Sequence, residues 1–172
     1  MTTRPPERWL SGPVEGVPPL LQPIAHAFYQ TLDDLEATLE GFPEDLLWSR
    51  PAGVASVGFH LQHIRGVIDR LFTYARGEPL SEDQLTALVA EGELPADGTG
   101  AAKLIDDLRR QVEVAVGQLR STSEASLVQP RSVGRAGLPS TVIGLLFHAA
   151  EHTQRHTGQL LVTVRVQRPS EP

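Results

Sequence analysis

Near the C-terminal end of the chain, His148, His152 and His156 recur every four residues within FHAAEHTQRHTGQ. Two more histidines, His60 and His63, lie three residues apart in HLQHIRGVIDRL, and His26 stands alone. Positions i and i+4 share one face of a helix, so two imidazoles at that spacing can share an ion. Two such ligands and a third from a facing helix make a three-nitrogen site that leaves room for water or substrate. That is the arrangement expected of a catalytic rather than a structural metal. Imidazole donors suit zinc, nickel, copper or iron. The chain has no cysteine, which excludes disulfides, thiolate-held zinc, iron–sulfur clusters and a protein thiol nucleophile. His26 is read as an ordinary surface or hydrogen-bonded residue.

Helices must hold these histidines. Apolar residues at Leu21, Ile24, Phe28, Leu32, Leu35 and Leu39 recur at spacings of three and four and predict a first helix from about Leu20 to Gly41. A connector, Pro43 to Gly53, holds Trp48 as a packing anchor. The second helix is expected from about Val54 to Arg76, with Val57, Leu61, Ile64, Ile68, Leu71, Phe72 and Ala75 inward and Gly77 closing it. A long connection follows, with a short helical piece capped by Ser81 and ending near Glu91. The third helix is expected from Ala101 to Arg120. After a loop marked by Gly134, Gly137 and Pro139, the fourth runs from Pro139 or Ser140 to about Val166. Its end, Leu160 to Val166, is rich in Val and Thr but carries no turn signal, so it is read as helix.

The fold class is therefore all-α: a four-helix bundle with a long crossover connection between helices 2 and 3, in one domain spanning residues 1–172. Residues 1–19, rich in Pro and Gly, form an irregular lead-in with Trp9 and Leu10 as candidate anchors.

At about 100° per residue, the apolar stripe of the fourth helix centres near Val142, Leu146, Leu160 and Val164. His156 lies closest to its border, His152 somewhat farther round, and His148 points most nearly away. His152 and His156 are thus the better pair, and His148 a surface or supporting residue. On the second helix, His60 falls inside the stripe and His63 at its rim, and the pattern tolerates either as the third ligand.

Composition narrows the partners. With 15 Lys plus Arg against 21 Asp plus Glu, a net charge of -6 and no basic cluster, nucleic acid is not an expected partner. No basic segment followed by an apolar stretch suggests a signal peptide, and no apolar run approaches the roughly 20 residues of a membrane span, so the expected setting is cytoplasmic, away from membranes.

HLQHIRGVIDRL followed late in the chain by HAAEHTQRHTGQL resembles the DinB-like (DinB/YfiT) superfamily, as does the connector LLWSRPAG before helix two. The family pattern has one histidine in the second helix and a late H-x-x-x-H followed closely by Gly-Gln. Its implied ligands here are His63, His152 and His156, with Gly158 and Gln159 in the expected places. Thr153 and Arg155 occupy slots where family members often carry Glu and His. The resemblance implies a four-helix bundle with a long crossover and a divalent metal, zinc or nickel foremost. It also implies a metal-dependent enzyme: a thiol S-transferase using a low-molecular-weight thiol such as bacillithiol or mycothiol, or a hydrolase. Three neutral imidazoles would leave the ion its charge to lower the pKa of a thiol or water. The expected partners are a small-molecule substrate and a second copy of the chain in a homodimer. Arg155, with Arg131 and Arg135, is a candidate for receiving an anionic thiol cofactor. For a hydrolase, the general base would be Glu151 or Asp69, neither well placed. A non-enzymatic, stress-related binding or assembly role is the other class of function.

Overall fold

Periodicity places the helices well because each buries one stripe. The computed structural model describes residues 6–168. Four long helices form: α1 (Gln22–Leu39), α2 (Val57–Arg76), α4 (Ala101–Ser121) and α5 (Val142–Gln167), with a short α3 (Glu82–Val89) between α2 and α4. Each of α1 and α2 packs against both α4 and α5. Of the stripe residues named above, all those of the first and fourth predicted helices are buried, and on α2 only Leu71 is partly exposed. The chain is thus mostly helical, and no helix among the described residues is long and apolar enough to cross a membrane.

Local chemistry sets the helix ends. Ser56 accepts the Phe59 N–H at 3.1 Å to start α2, three residues later than the periodicity suggests. Ser81 and Gln84 form a reciprocal capping box on α3. Thr141 caps α5 by accepting from Gly144. At the start of α4, Gly100 has no side chain to offer. The carboxylate of Glu44, from the connector, accepts the Ala101 N–H at 3.0 Å instead, a negative charge at a helix N-terminus where it is favoured.

Two expectations fail here. The segment read as a loop contains an antiparallel pair, β1 (Pro130–Val133) and β2 (Leu138–Thr141), with Val133 opposite Leu138 and Pro130 opposite Thr141. Strands of four residues, PRSV and LPST, hold too few apolar positions for an alternation to show. The helix therefore starts at Val142 rather than Pro139 or Ser140. Trp9 and Leu10 are not anchors: they are 64% and 58% exposed. The lead-in is held by Arg8, which donates to Asp33 at 2.6 Å, by the buried Val17, and by Gln22, whose side chain bonds Val14 and Val17. The part of the lead-in before Pro6 lies outside the described residues.

Trp48 is a packing anchor, as expected. Its ring lies so close to Gly58 that a Cβ there would come within 2.6 Å of it. A Gly→Ala change inside a helix ordinarily stabilises by about 1 kcal/mol. For Gly58→Ala we predict the opposite sign, a loss of about 1–3 kcal/mol through overpacking. Thermal unfolding would show it, and a raised melting temperature would contradict this account of the connector.

Candidate metal centre

The histidines lie where α2 and α5 pack together. One ligand atom each from His63, His152 and His156 can be chosen so that all lie within 4.8 Å of one another. His63 Nε2 and His152 Nε2 face each other at 3.0 Å. The rings of His63 and His156 have centroids 4.4 Å apart, and those of His152 and His156 4.6 Å. The three are partly buried at the edge of the core, as residues at the rim of a stripe should be. This donor set fits a divalent cation: three imidazole nitrogens converge with no carboxylate among them.

Two of the three nitrogens that face away from this point, His63 Nδ1 and His156 Nδ1, have partners of their own. His63 Nδ1 donates to Glu91 Oε2 at 2.6 Å, and Arg70 Nη1 donates to Glu91 Oε1 at 2.5 Å. A carboxylate on the far nitrogen of a ligating histidine fixes the ring's tautomer and raises its basicity. Glu91 lies just beyond α3, in the crossover, and that segment is tied to α2. Gln62 accepts from Gly92 N–H at 2.7 Å, and Phe59 stacks on His63 with centroids 5.1 Å apart. The notch that receives Glu91 exists because Gly66 has no side chain; a Cβ there would collide with the Glu91 carboxylate and the Arg70 guanidinium. Sequence reasoning missed Glu91. It is 28 residues from His63, and no local spacing connects the two.

His60 is buried, and its Nδ1 lies 3.0 Å from His156 Nδ1. His152 Nδ1 is buried without a hydrogen-bond partner. The electrostatics keep these rings neutral. Burial first, then neighbouring His63, pulls the pKa of His60 down to about 4. His156 falls to about 4 by burial and then by His63 and His152. His152 is lowered by burial and then by His63 and His148. For Glu91, burial pushes the pKa up, but the hydrogen bonds from His63 and Arg70 outweigh it, so its pKa is lowered and it stays ionised.

His148 is about half exposed and pairs with Glu151 at 2.6 Å, in keeping with a surface position. His148, Glu151 and His152 also have ligand atoms within 4.8 Å of one another, but Glu151 is already bonded to Arg155 at 2.7 Å. His26 bonds Gly12 O at 3.0 Å, and Asp69 belongs to neither gathered group. Arg131 is no part of this region: it donates to Ala75 O at the end of α2 at 2.8 Å. Arg155 lines a groove of about 510 Å³ with His60, Gly158, Gln159, Thr163 and the apolar Val54 and Val162.

The notch at Gly66 gives a test that leaves every histidine in place. Glu91→Gln removes the charge behind His63, and Gly66→Ala displaces the carboxylate. Both should weaken zinc binding about 10–100-fold in a competition titration against a chromophoric chelator. Wild-type affinity in both variants would show that Glu91 does not orient His63.

Residues 27–160 match the family model of the DinB superfamily. Among curated proteins, none matches the chain. The matched span takes in parts of all four long helices, the crossover that delivers Glu91 and every histidine of the triad, and the chain belongs to the DinB superfamily.

Proposed function

We propose that the chain is a metal-dependent enzyme in which His63, His152 and His156 hold one divalent ion, zinc or nickel. Its reaction is the transfer of a low-molecular-weight thiol, such as bacillithiol, to an electrophile. The observation that carries this reading is the convergence of three imidazoles with an ionised carboxylate behind one of them. When bound, the ion would supply a Lewis acid that lowers the pKa of a coordinated thiol or water. In the transfer, the sulfur forms a bond to the electrophilic carbon. The thiol proton passes to solvent, and the leaving group departs with the electron pair of the bond that breaks.

The chain's own residues support the thiol over water as nucleophile. A hydrolase wants a carboxylate free to act as general base. The two carboxylates that touch histidines are both engaged, Glu91 by His63 and Arg70, Glu151 by His148 and Arg155. The groove beside His60 has room for a small molecule, and Arg155 at its wall is the residue to receive an acidic group of the thiol cofactor. A free thiol cofactor belongs to a reducing compartment, which agrees with a cytoplasmic setting and with a small-molecule partner rather than nucleic acid or membrane. The same reading takes α1, α2, α4 and α5 as the four-helix bundle of the family, crossing over through residues 77–100. It takes the chain as a homodimer, for which the exposed Val162 and Val166, one turn apart on α5, offer an apolar face.

Elemental analysis of tag-free protein tests the centre. Wild type and His148→Ala should carry about one ion per chain, and His63→Ala and His152→Ala should lose it, with helicity by circular dichroism largely kept because the ion is not what folds the helices. Absence of metal from wild type after incubation with zinc, nickel and manganese would sink the reading. Loss of metal from His148→Ala would move the site to the other histidine group. With the site established, consumption of thiol in the presence of an electrophile separates transfer from hydrolysis.

A further inference from the structure

His60 belongs to neither gathered group, yet it is only 3% exposed, in the first turn of α2. A buried polar ring needs partners for its nitrogens. Nδ1 lies 3.0 Å from His156 Nδ1. Nε2 has no hydrogen-bond partner among the described residues, and the ring lines the groove shared with Arg155 and Gln159.

Two neutral imidazole nitrogens in hydrogen-bond contact hold one proton between them. If His60 carries it, His156 must be protonated at Nε2, and that nitrogen has no lone pair to offer. If His156 carries it, His156 Nε2 is bare and His60 is protonated at Nε2. His60 already engages His156 Nδ1, so Nε2 is the nitrogen left for the triad. Resting on the reading of His156 as a ligand, we infer that His60 is a positioning residue. It accepts the Nδ1–H of His156, fixes that ring in the tautomer with a bare Nε2, and directs its own Nε2–H toward the groove, where it donates to an oxygen acceptor on the bound molecule. His156 is thereby supported as His63 is by Glu91, with a neutral acceptor in place of a charged one. The molecule in the groove carries a carbonyl or carboxylate oxygen within reach of both His60 and Arg155.

Nitrogen–proton correlation spectra of the histidine rings in the full chain at neutral pH test the inference, without metal and with zinc added. His60 should be protonated at Nε2 and bare at Nδ1, and His156 the reverse. Two variants follow the consequence: His60→Leu removes the acceptor, and His60→Asn keeps an oxygen near the position of Nδ1. His60→Leu should lose about 10–100-fold in zinc affinity and alter the cobalt(II) absorption spectrum, and His60→Asn should recover most of both. Protonation of His60 at Nδ1 would overturn the inference, as would a His60→Leu variant with wild-type affinity and spectrum. If His60→Leu fails to fold, the tautomers and the asparagine variant decide. A wild-type chain that takes up no zinc would remove the metal reading alone, and the metal-free tautomers would still decide the role of His60.

Discussion

Every nitrogen of a buried imidazole must find a partner or cost free energy, and α2 and α5 press four imidazoles together. This constraint organises the surroundings of the site. Charging the rings is disfavoured, since burial and their mutual repulsion hold His60 and His156 near 4. Neutral rings each offer one donor and one acceptor, and the packing sorts them. One outward nitrogen goes to Glu91 and another to a fellow imidazole, while His152 Nδ1 alone of the three is left without a partner.

The crossover follows from the same requirement. A connection of this length could have been a surface loop. It is instead folded back on α2 by Gln62, Arg70 and His63, which brings Glu91 against the Nδ1 of His63. The glutamate is buried only because two donors meet it, and those donors meet it only because Gly66 leaves a gap in the helix surface. Removing any one of the three leaves a buried charge or a buried ring short of a partner, which costs more than the contact itself contributes.

Much of this was legible in the residues. The stripes of α1, α2 and α5 located those helices, and every stripe residue but Leu71 is buried, because amphipathic periodicity and burial are the same information. The i, i+4 spacing picked out His152 and His156, and at the rim of the stripe both are partly buried and gathered with His63. The same logic could not separate His60 from His63. A buried histidine bonded to another histidine, as His60 is, occupies a core position and reads like an apolar residue, whereas the partly buried His63 sits one step round. The hairpin and Glu91 were not legible. The first has too few residues for a period, and the second depends on a fold-back that no local pattern encodes. Trp9 misled because an aromatic residue after prolines suggests an anchor, whereas its indole N–H bonds Glu7 and its ring stays in solvent.

Charge around the centre has a further consequence for what it can receive. Glu91 is offset by Arg70 and Glu151 by Arg155, so neither carboxylate would neutralise an ion held by the three neutral imidazoles. Thr153 and Arg155, at slots where carboxylate and imidazole are frequent in the family, push in the same direction. Thr153 is fully buried, in a slot where a glutamate would need partners that the threonine hydroxyl itself lacks, and Arg155 pairs with Glu151. Loaded with an ion as proposed, the site would therefore be net positive. Such a site favours an anionic sulfur or oxygen ligand over a neutral one, because electrostatic attraction strengthens as the groove excludes water.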